Sequence, residues 1–227
     1  MIEKIKNNMS KLIIASFLII IGVIGRLTLS ELLPSSPALY ITLNGITQPM
    51  FMMDLFFLIA VISIISALLL KSYYVFVIPI SIMLITDIII GNNFIFLFTW
   101  SGFAMIGLIF FILNKKNNLS IQKTPLIFGT GIVSILIYDL WTNFGCWLGW
   151  YPHNLSGLSL CYSLALPFTL WHLLSTSIAI AVIVLPVIYL KEHKIINLNY
   201  SIKPFEKPLS LAFLTIIMFL SIVLSFI

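Results

Sequence analysis

Apolar residues fall in seven long blocks separated by short polar breaks, at 12–33, 50–70, 75–91, 94–114, 125–148, 167–190 and 208–227. A helix needs about 20 apolar residues to cross the hydrocarbon core of a bilayer, at about 1.5 Å of rise per residue. The pattern therefore predicts an all-α fold: a polytopic transmembrane helical bundle of seven spans, forming one integral membrane domain over 1–227. The third block is short and is separated from the fourth by Asn92 and Asn93, which predicts a tight helical hairpin. Pro34, Pro37 and Pro49 punctuate the first connection, and Pro204 and Pro208 the last. The first block follows Lys4, Lys6 and Lys11, the layout of a signal peptide's opening. No small-x-small cleavage site follows and the apolar run continues to about Leu33, so it reads as a retained span.

Composition agrees with the pattern. Hydrophobic residues make up 61% of the chain and charged residues 8%, whereas a water-soluble domain is about a quarter charged. Too few charges remain to cover such a surface in water, so lipid is the expected solvent. The net charge of +5 does not point to nucleic acid, because the basic residues are scattered between apolar blocks. They read as topology signals. All eleven lysines fall before span one or in the connections two–three, four–five and six–seven, while Arg26 alone falls toward the opposite side. The positive-inside rule then places the N-terminus in the cytoplasm and the C-terminus outside, in a multi-pass protein of the cell membrane.

With that orientation, polar chemistry collects at the outer end. Glu31, Asp54, Asp87 and Asp139 lie in or near the outer half, as do Arg26, His153, His172 and the tryptophans Trp100, Trp141, Trp147, Trp150 and Trp171. Tryptophans favour the headgroup zone, so these form either an interfacial belt or the lining of a pocket. The acids are less easily explained by a belt. A carboxylate at membrane depth costs a few kcal/mol or more and usually faces a partner or a watery cavity. Asp139 is the deepest charge, about 13 Å from the outer end of its span. Arg26 could pair with Asp139 or Asp87 simply to hold helices together. Glu31 and Asp54, nearer the interface, read as solvated ends, and the histidines as rim residues. Cys146 and Cys161 show no CxxC and no metal spacing, so neither a metal site nor a cofactor is expected; they read as packed thiols or as a disulfide. Asn154-Leu-Ser156 is a glycosylation sequon in form.

Two segments share a faint likeness: Pro79 leads to Thr86-Asp87 and Gly91, and Pro125 leads to Tyr138-Asp139, Asn143 and Gly145. The stretch Thr142-Asn143-Phe144-Gly145, Trp147-Leu148, Tyr151-Pro152, Leu155, Gly157-Leu158, Cys161-Tyr162, Ala165 and Pro167-Phe168 is more distinctive. It resembles an uncharacterised family of small prokaryotic membrane transport proteins, itself similar to the substrate-binding S components of energy-coupling-factor (ECF) transporters. The resemblance covers about 75–190. It implies a six-helix S-component-like core, with the seventh C-terminal span added. It also implies capture of a scarce micronutrient from outside and transfer driven by separate ECF-type transmembrane and ATPase subunits. The Met-His start of nickel and cobalt components is absent, since Ile2 follows Met1, which disfavours a metal substrate.

The leading expectation is thus a non-enzymatic substrate-capture subunit for a small vitamin- or precursor-like molecule. Asp139, Asn143, Asp87 and Arg26 are the expected polar contacts, and Trp141, Trp147 and Trp171 the stacking surfaces. Four acids against one arginine favour a neutral or cationic ligand. Two rivals remain. One is an assembly or structural subunit without a ligand. The other is an intramembrane aspartyl enzyme using Asp87 and Asp139 as a proton-sharing pair, or one using Cys146 or Cys161 with a histidine. No Walker motif occurs, so ATP would be used by a partner.

Overall fold

A computed structural model describes residues 2–29, 39–43, 46–70, 73–91 and 93–193. Within them, six helical segments and one small β-ribbon are present. The helices are α1 (Ile2–Leu29), α2 (Phe56–Leu69), α3 (Tyr74–Ile90), α4 (Phe96–Asn117), α5 (Thr124–Trp150) and α6 (Leu155–Ala179). α6 passes through a π turn (Ile180–Val184) into α7 (Leu185–Glu192), so that one helical stretch runs over Leu155–Glu192. Pro186 explains the π turn: its ring has no N–H and crowds the carbonyl one turn earlier, and the wider turn absorbs both defects.

α2 is the centre of the bundle. It is apolar on every side, and Ile59 through Leu68 are all buried, as expected of a helix with no polar face. It packs on α1, α3, α4 and α6. α4 then packs on α5, and α5 on α6. The outward faces are apolar too. Phe17, Ile20 and Ile24 of α1, Val133 and Leu140 of α5, and Val182 of the π turn are all exposed. Apolar residues on both the inward and outward faces are what a lipid environment requires. Among the described residues, four stretches are long and apolar enough to cross a membrane: Lys11–Leu29, Phe96–Asn117, Ile121–Trp150 and Leu155–Glu192. α2 and α3 are shorter apolar helices.

Two helix starts differ most from the hydropathy blocks. The second block was expected to be helical from residue 50, but α2 begins at Phe56. Residues before it form an antiparallel ribbon of β1 (Tyr40–Leu43) and β2 (Ile46–Pro49), followed by a run without regular secondary structure. The strands flank Asn44-Gly45 in sequence, the dipeptide most favoured between hairpin strands. The sixth helix begins at Leu155, well before the expected 167, and carries Pro167 inside it. Its start is set by Asn154, whose side-chain oxygen accepts the Gly157 N–H at 2.8 Å as an N-cap. Hydropathy passed over this first half because Ser156, Gly157, Ser159 and Ser163 dilute it without breaking a helix. The seventh block, 208–227, lies outside the described residues, as do Glu31, Pro34 and Pro37.

Candidate functional site

The ribbon side of the bundle, where α1, α3 and α5 end and α2, α4 and α6 begin, carries two polar clusters. The first joins α1, α3 and α4. Arg26 Nη1 donates to Asp87 Oδ1 at 2.5 Å and also contacts Thr86 Oγ1. Trp100 Nε1 donates to the other oxygen, Asp87 Oδ2, at 2.7 Å. Asp87 is thus buried with both oxygens bonded, one of them to a cation.

The second cluster joins α5, α6 and the segment ahead of α2. That segment crosses α6, where Met52 N–H donates to the Pro167 carbonyl at 3.2 Å and Trp171 Nε1 donates to the Asp54 carbonyl at 2.9 Å. These bonds set Asp54 beside the next residue of α6. His172 Nε2 lies 2.8 Å from Asp54 Oδ2, and His172 Nδ1 lies 2.7 Å from Asp139 Oδ1. Asp54 Oδ1 accepts the Phe56 N–H at 3.0 Å, turning the chain into α2. The Phe56 ring stacks on the imidazole at a centroid distance of 4.0 Å, and Tyr138 meets it edge-on at 6.1 Å. His172 and Asp139 are almost fully buried. Asp139 Oδ2 and Thr176 Oγ1, the latter one turn beyond His172, are buried without a hydrogen-bond partner.

Two cavities flank this cluster. One of about 340 Å³ is lined by Arg26, Asp54, Phe56, Met83, Phe103 and Tyr138 among others. The second, about 610 Å³, lies between α4, α5 and α6 and includes Asp139, His172, Asn143, Thr142, Cys146 and Cys161 in its wall. Its aromatic lining is Tyr138, Trp150, Tyr151 and Phe168. Small-molecule sites typically span about 300–1,000 Å³, mostly apolar with a few convergent polar groups, and the larger cavity has that character. Gly102 permits the shape: a Cβ there would lie 2.6 Å from the Tyr138 ring.

A family model described as a family of unknown function (DUF6580) matches residues 6–198. The chain belongs to that family. Asp54, Asp87, Asp139 and His172 all fall inside the DUF6580 match. No curated protein and no solved structure matches the chain.

The residues singled out from the DUF6580 sequence are divided between the clusters. Asp139 and Asn143 line the larger cavity, Asn143 donating through Nδ2 to the Asp139 carbonyl at 2.8 Å. Arg26 lines the smaller cavity and is bonded to Asp87 rather than Asp139. Asp87 and Asp139 are held by different partners. Trp141, Trp147 and Trp171 line neither cavity, and each spends its indole N–H on the protein, at Ser101 Oγ, the Pro152 carbonyl and the Asp54 carbonyl. Both cysteines are free thiols, so of the two expectations for them packing holds and the disulfide does not. His153 is a rim residue as expected, its ring bonded to the Leu148 carbonyl.

Two central groups were not among those singled out. Asp54 is a bonded member of the cluster and not a plain solvated end, and His172 is its buried hub. The signal for His172 was its place inside a continuous apolar run. Nothing local could have linked it to Asp54, 118 positions away.

Proposed function

We propose that the chain is a membrane-embedded substrate-capture subunit, taking up a small micronutrient through an outward-facing pocket and powered by a separate ATPase partner. The observation that carries this reading is the cavity of about 610 Å³ between α4, α5 and α6, with a buried, half-bonded Asp139 in its wall. A purely structural subunit has no need of a cleft of that size beside a buried charge. The resemblance of 139–168 to an uncharacterised membrane transport family, itself similar to ECF S components, supports the same role, and a core of six helical segments is compatible with it. The outward orientation rests on eleven lysines set against one arginine.

The test is a thermal-shift screen of a vitamin and nucleobase-precursor library on the purified protein, wild type beside Asp139→Asn. A ligand that binds only the folded state raises its stability by mass action. One compound should stabilise the wild type saturably and lose its effect in the variant. If no compound shifts either protein, the capture reading falls and an assembly role takes its place.

A further inference from the structure

The Asp54–His172–Asp139 cluster has a proton inventory that does not depend on where each proton rests. Each of its two N···O contacts, at 2.7 and 2.8 Å, requires one hydrogen. An imidazolium between two carboxylates gives the same total charge as a neutral imidazole between a carboxylate and a carboxylic acid. With those two hydrogens and no third, the three groups together carry one net negative charge either way.

One carboxylate oxygen of the cluster is left without a partner. Asp54 uses Oδ1 on the Phe56 N–H and Oδ2 on His172. Asp139 uses Oδ1 on His172 and leaves Oδ2 buried without a partner. Arg26 offers no compensation there, because it is paired with Asp87 and lines the other cavity. Among the residues lining the larger cavity, only Asp139 and His172 belong to charge-bearing types at neutral pH. An uncompensated buried charge is costly, and a complementary occupant would offset that cost. The remaining wall is mostly aromatic and apolar, and aromatic faces attract cations, the more so when desolvated.

We propose that the larger cavity takes an organic cation, a protonated amine or amidinium on a flat apolar body, whose charge lies against the Asp139 carboxylate while its body lies among Tyr138, Trp150, Tyr151 and Phe168. The proposal rests on the capture reading and narrows it to one ligand class. Neutral heterocycles that only accept hydrogen bonds are poor ligands for a bare carboxylate oxygen, and carboxylates are repelled by it.

The test uses three probes of one shape: naphthylmethylammonium, naphthylmethanol and naphthoate, titrated into the purified full-length protein with ligand-observed NMR as the readout. The ammonium should bind at least tenfold more tightly than the alcohol, and naphthoate should not bind. Asp139→Asn should erase the preference for the ammonium. Ala165→Phe, which fills the cavity from α6 and leaves the charged cluster intact, should abolish binding of all three in a protein that still runs as a folded species on size exclusion. Equal or tighter binding of the alcohol or naphthoate, lost in Ala165→Phe, would overturn the cation class and leave capture standing. Absence of binding by all three overturns the cation class as well, and the library screen then decides separately whether capture survives.

Discussion

Arg26 and Asp87, 61 positions apart in the chain, form an ion pair at 2.5 Å that ties α1 to α3. Trp100 closes the pair from α4 through the second carboxylate oxygen. Three helices are therefore clamped at one end by a single carboxylate. Removing one partner of such a pair leaves the other charged and desolvated, a cost of about 3–5 kcal/mol for a fully buried pair. Arg26 is 23% exposed, so Arg26→Leu should cost about 3 kcal/mol, at the low end of that range. Adding Asp87→Leu should restore part of the loss, because the orphaned charge goes too. Denaturant titration in mixed micelles reads both. A single variant as stable as wild type would show that the pair does not hold the helices.

His172 has a different task, since it holds two carboxylates from separate elements. Glutamine can bond one of them but cannot bridge both in the same geometry. His172→Gln should lower stability by about 1–3 kcal/mol, the cost of leaving a buried polar group unsatisfied. It should also remove ligand stabilisation in the thermal-shift screen, because Asp139 loses the bond that aims it. Retention of full ligand response in this variant would mean that His172 does not position Asp139.

The bundle was legible in the sequence because lipid demands long apolar runs, and α3, α4, α5 and the apolar part of α1 (Lys11–Leu29) fall close to the blocks that hydropathy draws. The errors came where the rule looks only at hydropathy. The first half of α6 is helical with serines and glycine in it, and the run ahead of α2 is apolar yet non-helical, with Asp54 turning the chain into α2. The site was half legible. Asp139 stood out by depth alone, since a carboxylate far from a helix end needs a reason to be there. The tryptophans misled, because an indole N–H is as readily spent on a neighbouring carbonyl as turned toward a ligand. Asp54 and His172 could be joined only by folding, for the bond between them depends on Met52 and Trp171 laying one segment across another.

Close approach of α4 and α5 makes another prediction. A methyl at Gly102 would meet the Tyr138 ring at 2.6 Å, while one at Gly129, lower on α5, would meet nothing within 4 Å. Gly102→Ala should therefore cost about 1–3 kcal/mol by overpacking and should disturb the wall shared by both cavities. Gly129→Ala should gain about 0.5–1 kcal/mol, because alanine suits a helix interior better than glycine. Thermal unfolding of the two variants in one detergent gives the comparison. The same sign for both would mean that the α4–α5 contact is looser than the packing implies.

Orientation decides from which side the larger cavity is reached, since Trp150 and Tyr151 at the end of α5 form part of its rim. Lys115 and Lys116 lie at the opposite end of the bundle, in the last turn of α4. Positive charges are retained on the cytoplasmic side, so the cavity end should face outward. In a variant with Cys146 and Cys161 replaced by alanine, a cysteine at the exposed His153 should react with a membrane-impermeant maleimide in intact cells. A cysteine at the exposed Lys116 should react only after permeabilisation. The reverse result would open the cavity to the cytoplasm, and capture of a nutrient from outside would then fail on geometry alone, however well the cavity bound a ligand in detergent.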